Sequence, residues 1–180
     1  MPFVCPWWFA SFLDNRVRKF LHDPEKVLGM YIEKGQTVLD IGCGPGMFSI
    51  AMAKLVGENG KVIAVDIQDK MLARLKQKIA KEGARNIQIH KSEPDRIGIT
   101  EQVDFALAFF MVHEVPDKSK FFSEVVSLLK PEGTFLVVEP KLHVSASAFK
   151  TTITIARSCG LRPVAEPKIR LSRAVVFTIA

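Results

Sequence analysis

The fold of this chain is decided by the stretch TVLDIGCGPG, residues 37–46. It begins with an apolar, β-branched run that contains one acid, Asp40, and it continues with three glycines at alternate positions. Residues 47–56 then have the pattern of a helix. A strand, a glycine-rich turn and a helix start in this order build the nucleotide-binding crevice of open α/β folds. Glycines without Cβ atoms permit positive φ and let a ligand lie against the backbone.

The spacing of these glycines and the acid before them indicate the charge of the ligand. Dinucleotide-binding turns have the spacing G-x-G-x-x-G and place a pyrophosphate on the helix N-terminus, whereas the spacing here is G-x-G-x-G. Asp40 would repel a pyrophosphate and would suit a cation without phosphates. S-adenosylmethionine is such a ligand, since it carries an ammonium and a sulfonium. A second acid, Asp66, ends the next apolar strand, where a carboxylate accepts hydrogen bonds from ribose hydroxyls.

Residues 38–46 resemble motif I of the class I S-adenosylmethionine-dependent methyltransferases, and they are closest to the ubiquinone/menaquinone biosynthesis branch. The resemblance runs from about residue 23 to about residue 140. Alternating strands and helices already indicate a doubly wound α/β sheet. The resemblance implies a Rossmann-like sheet of seven strands in the order 3-2-1-4-5-7-6, with the last strand antiparallel and helices on both faces. Ligands of such sheets bind at the carboxyl ends of the strands.

The hydrophobic pattern places these elements along the chain. A helix over 117–130 is expected to end because of Pro131 and Gly133. The strands are expected over 37–41, 61–66, 86–90, 103–109, 134–139, 161–168 and 173–179, and the helices over 14–21, 23–32, 47–56, 69–82, 117–130 and 145–159.

The resemblance also implies which residues hold the cofactor. Asp40 would help to hold the methionine ammonium, partly through water, and Asp66 would bind the ribose hydroxyls. The glycine turn would supply close backbone contact, and Ile67 would pack on the adenine. The predicted cofactor-binding residues are Asp40, Gly42, Cys43, Gly44, Gly46, Asp66, Ile67, Ser92, Glu93 and Phe109.

Three of these residues have a second interpretation that stays open. After strand three the family often has an aspartate that meets the adenine amino group. Here Ser92 replaces that aspartate, or Glu93 takes its part, or Glu93 is only a solvated loop acid. Phe109 or Phe110 would face the sulfonium through a cation–π contact, or one of the two would pack in the core at the strand end.

The segment FFMVHEVP, residues 109–116, carries the candidates for chemistry. It lacks the Asn/Asp-Pro-Pro-Tyr motif of methyltransferases that modify exocyclic nucleobase amines, so that reaction is disfavoured. An imidazole ordinarily titrates near neutral pH, so His113 is the predicted catalytic base, while Glu114 would orient it or act alone. The alternative is a histidine that only caps the following helix. Cys43 is expected to fill the loop rather than act as a nucleophile, although the helix N-terminus could lower its pKa.

The composition of the chain limits its domain count, its location and its metal or disulfide content. The chain has 180 residues, the size of a single domain, and a net charge of +6. It has no apolar run of about 18 residues, so no membrane span is expected. The apolar N-terminus follows no basic residue, which argues against a secretory signal. The three cysteines are scattered, which predicts neither disulfides nor a metal site and favours the cytoplasm. Residues 1–34 are expected to form an aromatic and helical arm that would border the substrate side, fill the core or contact a second copy in a homodimer.

The expected function is transfer of a methyl group from S-adenosylmethionine to a small-molecule acceptor. The protein would hold donor and acceptor in near-attack geometry and exclude water. Three alternatives stay open: an RNA or protein methyltransferase that uses the lysines of helix 69–82, a non-catalytic S-adenosylmethionine-binding module, and a nicotinamide-binding protein.

Overall fold

The computed structural model describes residues 22–180 and contains one sheet of seven strands. The strands are β1 (Thr37–Ile41), β2 (Lys61–Asp66), β3 (Ile87–Lys91), β4 (Val103–Phe109), β5 (Leu129–Pro140), β6 (Leu161–Ala165) and β7 (Ser172–Ile179). Their order in the sheet is β3-β2-β1-β4-β5-β7-β6. Strands β1 to β5 pair in parallel, and β7 is antiparallel to both β5 and β6. The predicted order and the antiparallel last strand are confirmed.

Five α-helices surround this sheet among the described residues. They are α1 (Pro24–Leu28), α2 (Met47–Val56), α3 (Asp69–Glu82), α4 (Lys118–Leu128) and α5 (Ala146–Ser158). Their starts follow local chemistry, because the side chains of Asp117 and Ser145 accept backbone N–H groups at the beginnings of α4 and α5. The helix predicted over 14–21 and the aromatic part of the arm lie outside the described residues.

The strands bury both faces, as their apolar sequences predict. On one face, Leu39 and Ile63 share a core cluster with Phe122 of α4 and Phe149 of α5. On the other face, Val38 and Phe105 share a cluster with Leu28 of α1 and Met52 of α2, and Ala64 packs with Leu72 and Leu75 of α3. Helices therefore cover both faces, and the carboxyl ends of β1, β2, β4 and β5 meet at one edge, where the site lies.

Helix α4 ends earlier than the pattern predicts. It stops at Leu128, and Leu129 already has extended backbone and pairs with Val103. Pro131 and Gly133 therefore belong to β5, where the register shifts between Val103 and Phe105. A Cβ atom on Gly133 would lie 3.0 Å from the carbonyl oxygen of Val103, so this irregular pairing needs a glycine. The prediction that Pro131 and Gly133 end a helix over 117–130 and that the strand begins at 134 is wrong.

Two other predicted elements are longer than the observed ones. The helix expected over 23–32 is the single short helix α1, which begins with Asp23 as its N-cap and Pro24 in its first turn. Strand β6 ends at Ala165 rather than at residue 168. Among the described residues, no helix is both long enough and apolar enough to span a membrane.

Candidate functional site

The glycine turn has the backbone conformation that its sequence predicts. Gly42, Gly44 and Gly46 have φ values of 70°, 54° and 84°, in the region that residues with a Cβ rarely adopt. Gly42 and Cys43 both donate their N–H groups to the carbonyl of Val65, which ties the turn to β2. A Cβ on Gly44 would meet no heavy atom within 4 Å. The turn is therefore anchored at its start and open at Gly44, where a ligand can approach the backbone.

Two buried carboxylates flank this turn. Asp40 is 2% exposed and accepts a hydrogen bond from Ser49 Oγ at 2.5 Å. Asp66 accepts the N–H groups of Gly44 at 2.9 Å and of Gln68 at 2.8 Å. Burial raises the pKa of Asp66, and these backbone donors oppose the increase. The surroundings of the turn are therefore acidic, which suits a cationic group and disfavours a phosphate.

Cys43 lies buried between these two acids. Burial raises the pKa of its thiol well above the ordinary value, and the charges of Asp40 and Asp66 raise it further. The suggestion that the helix N-terminus lowers this pKa is wrong, because desolvation and the two nearby acids dominate. Cys43 contributes its backbone and a small apolar side chain to the turn.

The predicted adenine side contains Ile67, Ser92 and Glu93. Ile67 follows Asp66 in the sequence and is half-buried. The N–H of Ser92 donates to the carbonyl of Asp66 at 3.1 Å, so Ile67 and Ser92 both lie near the end of β2. Glu93 is exposed, its N–H donates to the carbonyl of Arg96, and its carboxylate pairs with the guanidinium of Arg96. These contacts are those of a solvated loop acid, and the adenine role of Ser92 or Glu93 stays a prediction.

Phe109 closes the carboxyl end of β4 from the core side. It is 6% exposed, and its ring centroid lies 4.3 Å from that of Phe48 and 4.4 Å from that of Phe110. His22 packs edge-on against both Phe109 and Phe110. Phe110 has a φ of 64°, an uncommon conformation for an aromatic residue. Phe109 therefore packs in the core at the strand end, beside the left-handed Phe110, and a contact of either ring with the sulfonium stays a prediction.

His113 lies in a short 3₁₀ turn, Val112–Glu114, that follows β4. Met111, just before this turn, packs against Gly42, since a Cβ on Gly42 would lie 3.0 Å from the Met111 side chain. The turn that carries His113 is therefore adjacent to the glycine turn. The structure brings the predicted catalytic and cofactor-binding segments to one end of the sheet.

A residue that the sequence analysis missed holds the His113 ring. Glu139, at the end of β5 and 1% exposed, lies with Oε2 2.5 Å from His113 Nδ1, and its Oε1 accepts the His113 backbone N–H at 2.9 Å. Glu114, the predicted orienting residue, lies with Oε1 3.9 Å from His113 Nε2, too far for a hydrogen bond. Glu139 could have been found in the sequence, because it is an acid at the end of a predicted strand, as Asp66 is.

The contact with Glu139 predicts a pH-dependent contribution to stability. The carboxylate raises the pKa of His113, and partial burial opposes the increase. A folded-state pKa above the unfolded value stabilises the fold fully below about pH 6.5, and this stabilisation is lost as the pH rises through the folded-state pKa. We expect His113→Gln to lower the free energy of unfolding more at about pH 6 than at about pH 9, as measured by urea unfolding. Equal losses at both pH values would contradict the pairing.

The place of Asp66 predicts a loss of cofactor affinity on substitution. Asp66→Ala removes a charged acceptor, which costs about 1–3 kcal/mol, or roughly 5- to 150-fold in affinity for S-adenosylhomocysteine measured by calorimetry. Asp69→Ala is the matched control, because Asp69 is 74% exposed and pairs with Lys91. Circular dichroism checks that the Asp66 variant is folded, and an unchanged affinity would remove Asp66 from the site.

Comparison with known proteins identifies the family. A model of the methyltransferase domain family matches residues 32–160. The chain is 33% identical over 110 residues to a demethylmenaquinone methyltransferase of Lactobacillus johnsonii, covering 60% of this chain and 45% of the relative. It is 31% identical over 100 residues to an arsenite methyltransferase of Halobacterium salinarum, covering 55% of this chain and 26% of the relative. Each match thus spans less than half of the curated relative's length.

A solved structure is similar to this chain in fold. The crystal structure of a SAM-dependent methyltransferase from Aquifex aeolicus superposes with a TM-score of 0.89 at 28% identity, covering 98% of this chain and 100% of that one. The predicted fold and the predicted S-adenosylmethionine cofactor agree with this relative. The chain therefore belongs to the methyltransferase domain family, within the class I S-adenosylmethionine-dependent methyltransferases.

Proposed function

We propose that this chain transfers the methyl group of S-adenosylmethionine to a small-molecule acceptor. The observation that carries the proposal is the open glycine turn between two buried carboxylates, Asp40 and Asp66. Two relatives named for methylation of demethylmenaquinone and of arsenite support an acceptor of small size. When bound, S-adenosylmethionine supplies an electrophilic methyl group on a sulfonium that leaves as a neutral thioether.

The buried acids beside the turn and the open space at Gly44 support this cofactor. Asp40 would attract the methionine ammonium, and Asp66 would accept the ribose hydroxyls. The space at Gly44 admits a ligand against the backbone, where a side chain would fill it. Ile67 and the backbone at Ser92 would border the adenine.

His113 would act on the acceptor. It stands on the turn next to Gly42, and 28% of its side chain is exposed, so an acceptor can reach the imidazole. An imidazole accepts a proton near neutral pH, which is useful where the acceptor must lose one before it attacks. Glu114, at 3.9 Å from Nε2, adds negative charge beside the ring.

A transfer assay tests this function directly. The full chain is incubated with S-adenosylmethionine labelled on its methyl group and with separate pools of quinols, phenols, arsenite, mixed RNA and mixed protein. We expect label in a small-molecule pool and a strong decrease with Asp66→Ala. Label found only in RNA or protein would mean that the acceptor is that macromolecule and not a small molecule. Binding of S-adenosylhomocysteine without transfer to any pool would favour a non-catalytic module.

The arm and the cellular location belong to the same proposal. We propose that residues 1–34 border the acceptor side and that the protein works in the cytoplasm. Leu28 supports a close association of the arm with the domain, because it is fully buried with Met52 and Phe105. Sedimentation of the chain with and without S-adenosylhomocysteine would show whether it also forms a homodimer.

A further inference from the structure

We infer that Glu139 is the positioning residue of the acceptor side, and that it holds the His113 ring with a proton on Nδ1 so that Nε2 receives the proton of the acceptor. The inference rests on the proposed function and extends it to a residue on a different strand. It also assigns the orienting role to Glu139 rather than to Glu114.

Glu139 contacts His113 through both of its carboxylate oxygens, and we call this pair of contacts the clamp. One carboxylate oxygen of Glu139 accepts the backbone N–H of His113 at 2.9 Å, and the other lies 2.5 Å from Nδ1 of the same residue. A carboxylate that is bound at both oxygens by one residue fixes the backbone and the ring of that residue together. Glu139 is 1% exposed, so the contact is shielded from water, which strengthens a charge-assisted hydrogen bond.

Its position in the sheet makes the clamp rigid. Glu139 lies in β5, which is paired on one side with β4 up to the pair Phe109 and Val138, and on the other side with β7 through Arg173. The chain leaves β4 at Phe110, whose N–H donates to the carbonyl of Val138 at 2.7 Å. Glu139 is therefore held by a strand that is paired on both sides, and the turn that carries His113 follows the neighbouring strand β4.

Other charged or titratable groups that face His113 bind it less closely. Glu114 lies 3.9 Å from Nε2, and the imidazole of His143 has its centroid 6.3 Å away. Lys118, on α4, acts against protonation of the ring through its charge. Glu139 is the group among these that is hydrogen-bonded to the imidazole, and its carboxylate is the largest cause of the raised pKa of His113.

The arrangement predicts the chemistry of the acceptor. With Nδ1–H donated to Glu139, Nε2 carries the lone pair and takes the proton from an O–H or acidic C–H bond. The electron pair of that bond stays on the acceptor atom, and Glu139 balances the positive charge gained by the ring. An acceptor that attacks through an existing lone pair, such as trivalent arsenic, does not need a base to remove a proton. The inference therefore favours hydroxyl or activated-carbon acceptors.

Nitrogen-15 NMR of the histidine side chains tests the inference without an acceptor. Spectra of the full chain are recorded across a pH series, and His113→Asn assigns the His113 signals among the four histidines. In the wild type we expect a proton on Nδ1 in the neutral ring and a pKa above the ordinary value. Glu139→Gln should lower this pKa and remove the tautomer preference, whereas the matched variant Glu114→Gln should keep the tautomer and shift the pKa less.

The outcomes separate this inference from the proposed function. A neutral wild-type ring protonated on Nε2, or a larger pKa change in Glu114→Gln than in Glu139→Gln, would overturn the role of Glu139. If Glu139→Gln does not fold, the wild-type tautomer and the Glu114→Gln variant still decide. Binding of S-adenosylhomocysteine is measured in parallel, because its absence contradicts the proposed function, while intact binding with the wrong tautomer contradicts only the role of Glu139.

Discussion

Replacing Gly46 by alanine is expected to lower the free energy of unfolding by about 2–5 kcal/mol, which we attribute to two costs. The first is the conformation, since Gly46 has a φ of 84° and a left-handed residue with a Cβ loses about 1–2 kcal/mol. The second is overlap, because the new Cβ would lie 2.2 Å from Leu75 Cδ1. Leu75 is fully buried, so its displacement overpacks the core at a cost of about 1–3 kcal/mol.

Gly83→Ala separates these two costs. Gly83 also has a positive φ, 67°, but a Cβ there would meet nothing within 4 Å. Urea unfolding of both variants should therefore show the larger loss for Gly46→Ala, with the difference equal to the overlap with α3. Equal losses in the two variants would mean that α3 does not pack against the glycine turn as described.

Replacing His113 by asparagine is expected to slow methyl transfer by about 10²–10⁴-fold, the range for loss of a general base. Asparagine keeps a polar side chain but cannot take a proton near neutral pH. Affinity for S-adenosylhomocysteine should change little, because the acidic residues and glycines that would hold it belong to other segments. The rate is measured by transfer of labelled methyl to the acceptor found in the pooled assay.

The matched control for this variant is His143→Asn. His143 is exposed, and its ring centroid lies 6.3 Å from that of His113, so it shares the neighbourhood without the clamp. We expect the control to keep nearly the wild-type rate. A His113→Asn enzyme as fast as the control would show that the acceptor attacks without a base, as a lone-pair nucleophile does.

The parallel part of the fold could be predicted because its physical causes are local in the sequence. The bounds of β1, β2, β4, α2 and α3 agree with the prediction, since apolar runs and helical periodicity mark them. The positive φ values of the glycine turn could be predicted because glycine has no Cβ atom. The acids at the ends of β1 and β2 could be placed at one site because parallel strands end at the same edge.

The remaining features depend on contacts between distant segments. The pairing of Glu139 with His113 requires the register of β4 on β5, which no local pattern contains. The end of α4 is set by pairing of Leu129 with Val103, which overrides the usual effect of proline and glycine. The pKa of Cys43 is raised first by burial and then by Asp40 and Asp66, and this burial exists only in the folded structure.

Calorimetric titration of the full chain with S-adenosylhomocysteine and, separately, with NAD⁺ tests the central claim, that the acidic glycine turn selects a cofactor without phosphates. We expect saturable binding of S-adenosylhomocysteine that weakens in Asp66→Ala, and no comparable binding of NAD⁺. Tight binding of NAD⁺ together with no heat from S-adenosylhomocysteine would contradict it.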